Sequence, residues 1–138
     1  MSSRLNPYLN FNGSARQALE FYRSVFGGTL NINTFADFGG SDSPEADKVM
    51  HGQLENDAGY TVMAADHASN MGEYHAPSGF GISLSGDDGD ALRGYWERLS
   101  ASGNTTMPMQ KQPWGDEFGM VVDRFGITWL VNISQPQA

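Results

Sequence analysis

Hydrophobic positions along the chain follow two rhythms, one of strands and one of helices, and the order in which they alternate is repeated. Residues 5–11 read as a short strand ended by Asn12-Gly13, a turn dipeptide whose residues tolerate positive φ. Beyond it Ala15, Ala18, Leu19, Tyr22, Val25 and Phe26 recur at the spacing of one helical face. Ser14 is the expected N-cap, Gln17 reaches back to complete a capping box, and Gly27-Gly28 stops the helix. β-Branched, aromatic and alternating apolar residues then predict strands over 30–38, 48–55 and 60–65. A flexible loop at 39–44 and a hairpin turn at 56–59 separate them.

Residues 66–78 are mostly polar and read as a connection between halves, after which the same order returns. A strand near 80–85 precedes a helix that starts after Asp87 or Asp88 and stops at Gly103, with strands near 105–110, 118–122 and 127–133 to follow. Ala91, Leu92, Tyr95, Trp96 and Leu99 form the apolar stripe of this second helix. Ala18-Leu19-x-x-Tyr22 recurs there as Ala91-Leu92-x-x-Tyr95, and together with the repeated order of elements this argues for internal duplication. Each half would leave a curved half-sheet with one face uncovered, so the halves are expected to associate around a small-molecule pocket. The expected fold is α+β: two βαβββ modules, about 4–67 and about 79–134, in one domain spanning 1–138, their mixed curved sheets enclosing a cleft.

Composition narrows the chemistry. At 138 residues and 39% hydrophobic content the chain is large enough to bury a core without staples. It has no cysteine, which removes disulfides, thiolate metal sites and thiol nucleophiles. The N-terminus lacks the apolar core of a secretory signal, and no run of about 18 apolar residues is present to span a bilayer, so a cytoplasmic protein is expected. Eight basic residues against sixteen acidic ones give a net charge of −8, which repels phosphate backbones and anionic lipid and argues against nucleic-acid and membrane partners. The G-x-S-x-G elbow, the P-loop and a glycine-rich dinucleotide turn are absent, and with them the serine hydrolase, nucleotide triphosphatase and Rossmann readings.

Two stretches carry a resemblance. Asn6-Pro7-Tyr8-Leu9-Asn10-Phe11-Asn12-Gly13, followed by Ala18-Leu19-Glu20-Phe21-Tyr22 and Val25-Phe26-Gly27-Gly28, is similar to the opening of PhnB-like proteins of the glyoxalase/bleomycin-resistance superfamily. The run Trp114-Gly115-x-x-Phe118-Gly119-x-x-x-Asp123-x-Phe125-Gly126-x-x-Trp129-x-x-Asn132 is similar to that family's ending. The resemblance implies the vicinal-oxygen-chelate architecture and a homodimer, and places His51 and Asp66 where the family tends to carry them. The residues have their own reading beside it. Asp123-Arg124-Phe125-Gly126 is a hairpin turn, with Gly126 supplying its unusual backbone state and Asp123 bonding nearby amides. Tyr8, Trp114, Phe118, Met120 and Trp129 are candidate ligand-lining residues, although aromatics on alternate strand positions fill cores as readily as they line sites.

Metal-dependent relatives of the glyoxalase I kind place His, Gln or Glu ligands on the first, fourth, fifth and eighth strands. The ungapped equivalents here are near Pro7, Met63 or Ala64, Phe80 and Leu130, and a shift of one residue brings Tyr8, Asn10, Ser83 or Asn132 inward. Neither set suits a divalent cation, so no metal or other cofactor is expected. His67, His75, Glu73 and Asp66 show no recognised metal spacing, and the loop histidines are expected to be solvated. His51 lies within a predicted strand; facing inward, it would accept a proton, oriented by Asp66 or Glu55. The leading functional expectation is a metal-free module that holds an aromatic or planar small molecule in an apolar cleft, as bleomycin-resistance relatives sequester theirs. The alternatives are a metal-assisted lyase, isomerase or dioxygenase with His51 and Asp66 as catalytic residues, and an interaction protein whose pocket is residual core space.

Overall fold

A computed structural model describes residues 3–39 and 44–135. Along these the elements run β1 (Tyr8–Phe11), α1 (Ala15–Phe26), β2 (Thr29–Thr34), β3 (Val49–Glu55), β4 (Thr61–Asp66), β5 (Ile82–Gly86), α2 (Gly89–Ala101), β6 (Asn104–Lys111), β7 (Glu117–Val122) and β8 (Thr128–Ile133). Short 3₁₀ turns occupy Ala36–Phe38 and Ser69–Met71. Most of the loop expected at 39–44 lies outside the described residues.

The chain divides into two units, Met1–Pro77 and Ser78–Ala138. The first holds a sheet in the order β1-β4-β3-β2, the second a sheet in the order β5-β8-β7-β6. In each the first strand pairs in parallel with the last, and the other neighbours are antiparallel. A βαβββ unit closes this way because its helix carries the chain to the far edge, from which three strands meander back to the first. The architecture is the α+β arrangement of two mixed four-stranded sheets with one helix each.

The repeat extends below the level of strand order. Just past each last strand an amide returns to the end of the first: His67 N–H donates to Phe11 O and Ser134 N–H to Gly86 O, both at 2.7 Å. Gly52 on β3 and Gly119 on β7 hold equivalent places, opposite Ala64 and Val131. A Cβ at Gly52 would stand 2.2 Å from Leu19 Cδ1, and one at Gly119 would stand 2.7 Å from Trp96 Cη2. Each helix therefore seats a large side chain at a point where the sheet beneath it carries none.

The core of each unit lies between its helix and one face of its sheet. Ala15, Ala18, Leu19, Tyr22 and Val25 of α1 are buried, in agreement with the periodicity, together with Leu9, Phe11, Leu54, Val62 and Ala64 from alternate strand positions. On α2 only Leu92 and Leu99 of the predicted stripe are buried, while Ala91, Tyr95 and Trp96 are half-buried.

Three local expectations are corrected. The capping box does not form: Ser14 makes no side-chain cap bond, and the amides of Gly13 and Ala15 donate instead to Asp66 Oδ1 at 2.9 and 3.0 Å. A buried carboxylate is the stronger acceptor for the positive end of a helix, and the end of β4 brings one there. β2 stops at Thr34, four residues short of its expected end, because Asp37 Oδ2 takes the Thr34 amide at 2.8 Å and the backbone turns. Residues 5–7 precede β1, and Leu5 is fully exposed.

Candidate functional site

Side chains alternate across a strand, so burying one set against a helix fixes which residues stand on the opposite face. In the first unit that open face carries Tyr8 and Asn10 of β1, Met63 and Ala65 of β4, His51 and Gln53 of β3, and Asn31 and Asn33 of β2. In the second unit it carries Ser83 and Ser85 of β5, Leu130 and Asn132 of β8, and Phe118 and Met120 of β7. The first face is mainly hydrogen-bonding, whereas the second divides between hydroxyl and amide groups on β5 and the end of β8 and apolar groups on β7 and Leu130.

On the first face His51 meets Tyr8, a candidate lining residue that the sequence did not pair with it. Tyr8 Oη lies 3.3 Å from His51 Nδ1, and the two rings are 5.7 Å apart at a tilt of 38°. Met63, the Cα partner of both Tyr8 and Gln53, occupies the strand between them. His51 sits beside a β-bulge: Asn33 pairs with His51 but Thr34 pairs with Val49, which leaves Met50 as the extra residue. Bulges re-aim neighbouring side chains and are frequent at functional sites. Partial burial raises the pKa of the Tyr8 phenol above its ordinary value, so the hydroxyl stays protonated.

Neither carboxylate expected to orient His51 does so. Asp66 falls on the α1-facing side of β4, 4% exposed, with Oδ1 taken by the Gly13 and Ala15 amides and Oδ2 by the Val49 amide at 2.9 Å. Three amides engage both of its oxygens, which makes it a structural clasp between β4, β3 and α1, on the side of the sheet away from His51. The recess it borders, about 310 Å³ and edged by Arg16, Lys48 and Asp47, also belongs to the α1 side. Glu55 accepts from Arg4 Nη1 at 2.9 Å and from Gln53 Nε2 at 2.6 Å.

Of the aromatic residues singled out in the second unit, two gather on the open side and one does not. Trp114, in the β6–β7 turn and 62% exposed, meets the edge of Phe118 with ring centroids 6.1 Å apart. Met120 lies two residues along β7 on the same face, opposite Leu130. Trp129 belongs to the other face. It is 1% exposed, and its indole N–H donates to Asp123 Oδ2 at 2.8 Å. Asp123 also takes the Phe125 amide at 2.8 Å and the Ile127 amide at 3.1 Å, so the expected hairpin turn forms and Trp129 is one of its anchors. Leu130 and Asn132, both weighed from the sequence as inward-facing positions, share this open face, as their alternation with Trp129, Val131 and Ile133 requires. The loop histidines divide: His75 is exposed, while His67, expected to be solvated, has Nε2 2.6 Å from Gly72 O and its ring edge-on to Tyr74.

The strands that would carry glyoxalase-type ligands present phenol, amide, thioether, methyl, hydroxyl and isobutyl groups to the open faces. Without an imidazole or carboxylate among them, those residues do not fit a resident divalent ion. Among the described residues no three His, Asp or Glu side chains are grouped so as to hold a metal.

Residues 4–131 match the family model described as the Glyoxalase/Bleomycin resistance protein/Dioxygenase superfamily. A crystal structure of protein PA1353 from Pseudomonas aeruginosa is similar at 35% identity and a TM-score of 0.81, covering 98% of this chain and 100% of that one. Protein YjdN of Escherichia coli is 28% identical over 96% of this chain and 97% of its own length. A PhnB protein from Bacillus cereus shares the fold with a TM-score of 0.74 at 19% identity, over 96% of this chain and 100% of that one.

Proposed function

We propose that this chain, which belongs to the Glyoxalase/Bleomycin resistance protein/Dioxygenase superfamily, is a small-molecule-binding protein in which an open sheet face holds a planar, largely apolar compound without a resident metal. The observation that carries the reading is the edge-on pair of Trp114 and Phe118 with Met120 and Leu130 beside it. These are large apolar groups on a sheet face that has no helix of its own unit over it. Leaving such groups half-exposed gives up burial worth roughly 1.5–3 kcal/mol for each large side chain, a cost that ligand contact offsets.

Sequestration of the ligand, as the superfamily's bleomycin-resistance name describes, is the form of binding that needs no catalytic group. We read the protein as a cytoplasmic homodimer; no helix among the described residues is long and apolar enough to cross a membrane. A second reading, catalysis with His51 as a proton acceptor, is favoured by one observation, the Tyr8 hydroxyl at His51 Nδ1.

Thermal-shift screening with small aromatics and divalent ions, beside elemental analysis of protein purified without added metal, tests the proposal. A planar ligand should raise the melting temperature by mass action. Trp114→Ala should weaken that ligand about tenfold, through loss of one stacking contact of about 1 kcal/mol or more, with little effect on the unliganded melting temperature because Trp114 is mostly exposed. Stoichiometric bound metal, or unchanged affinity in the Trp114 variant, would overturn it.

A further inference from the structure

Building on the reading that the open faces bind small molecules, we infer that Tyr8 and His51 act as one unit that presents the His51 Nε2–H to a neutral carbonyl oxygen of a molecule held on the open face of the first unit. The first step is the direction of the hydrogen bond between them. A phenol hydroxyl is a better donor than a neutral imidazole N–H, and an imidazole nitrogen is a better acceptor than a phenol oxygen. The matched arrangement across the 3.3 Å contact is therefore Tyr8 O–H donating to His51 Nδ1. The partner of one ring nitrogen fixes the tautomer of the other, so the neutral imidazole carries its proton on Nε2. A phenol is protonated at neutral pH, and partial burial moves the Tyr8 pKa further up, so its hydroxyl remains a donor.

The second step is the charge of what Nε2–H meets. Around the pair the face offers Asn10, Asn33 and Gln53 amides and the Met63 thioether, with no Lys or Arg among these neighbours. Glu55, two residues beyond Gln53 on β3, is paired with Arg4 at 2.9 Å, so its charge is compensated. A carboxylate or phosphate would leave water for a site without a counter-charge, on a protein of net charge −8. An ammonium group would find the donor Nε2–H in place of an acceptor. A neutral carbonyl on a planar frame satisfies the donor without a charge to compensate, while Met63 and the Tyr8 ring supply flat apolar contact.

Two measurements test the inference independently. Long-range nitrogen NMR of the histidine rings, at a pH where His51 is neutral, should show His51 protonated on Nε2. Tyr8→Phe should shift it toward a mixture of tautomers; a wild-type ring protonated on Nδ1 would overturn the pair. Acetophenone, its isostere α-methylstyrene and benzoate then probe the ligand class by titration. Acetophenone should bind about tenfold more tightly than the other two, the fold-change of one net hydrogen bond, and Tyr8→Phe should erase most of the preference. Equal binding of acetophenone and α-methylstyrene, or a preference for benzoate, would overturn the carbonyl assignment while leaving the function proposed above intact. Binding of none of these or of any aromatic would sink that function and the carbonyl assignment together, and the nitrogen spectrum alone would still decide the tautomer.

Discussion

Two aspartates do most to hold local geometry in place, and both work by gathering donors that the backbone alone would leave unpaired. Asp66 collects three amides from two elements, and Asp123 collects two amides and the Trp129 indole. Asp66→Ala would leave the Val49 amide and the start of α1 without acceptors in a buried place, and should cost roughly 3–5 kcal/mol in chemical denaturation. Asp66→Asn should cost less, about 1–3 kcal/mol, because one carbonyl oxygen is kept while an NH₂ group is turned toward a donor. A variant at Asp66 that retained wild-type stability would contradict the clasp. Trp129→Phe isolates the other case: it keeps most of the apolar volume but removes the indole donor to Asp123 Oδ2, and should lower stability by about 1–3 kcal/mol without weakening a planar ligand. A selective loss of ligand affinity in that variant would return Trp129 to the binding site.

Between residue and whole, the helices depend on single points of the sheets they cover. Gly52→Ala places a methyl group where Leu19 Cδ1 now lies and should destabilise the first unit by about 1–3 kcal/mol through overpacking. Gly119→Ala meets the Trp96 ring and, at 3.1 Å, the Met109 backbone, so relief by side-chain movement alone is not available there and its loss should be the larger of the two. Comparison of the two melting temperatures checks that order. The connection after β4 is fastened by a different device. Glu45 accepts from the Ser69 hydroxyl at 2.6 Å and from the Ser69 amide at 3.0 Å, and these bonds, with Lys48 beside them, hold its carboxyl below the ordinary value of 4.5. A carboxylate with a depressed folded-state pKa stabilises the structure above the unfolded value, and its contribution fades as pH falls through the folded one. The protection factor of the Ser69 amide, its exchange corrected for the intrinsic pH dependence, should therefore be high near neutrality and fall on acidification below the normal glutamate range. Glu45→Gln should remove that pH dependence; a persistent acid transition in this variant would assign it to another group.

For the molecule as a whole, the donor set on the open faces makes a sharp statement about metal: addition of a strong chelator should leave the melting temperature unchanged, and a drop of several degrees would show that an ion contributes to folding. Two modules with the same strand order, the same returning amide and an equivalent glycine beneath a large helix side chain were legible along the chain only as rhythm. The α1 stripe, the hairpin turn at Asp123 and the repeat of Ala-Leu-x-x-Tyr depend on residues a few places apart, whose relation the backbone fixes before any tertiary contact forms. Which strand face meets a helix was legible in part, since alternation pairs Trp129 with Val131 and Ile133, but an aromatic residue satisfies a core and a site equally well until the packing partner is known. The partners of the polar residues were not legible. Ser14 had every local qualification to cap α1, yet Asp66, 51 residues from Ala15, displaced it. His51 found its partner in Tyr8, 43 residues away. Local periodicity therefore determined the elements and their order, whereas the folded chain decided each buried charge and each candidate proton donor, because those energies depend on separation in space and not on separation along the sequence.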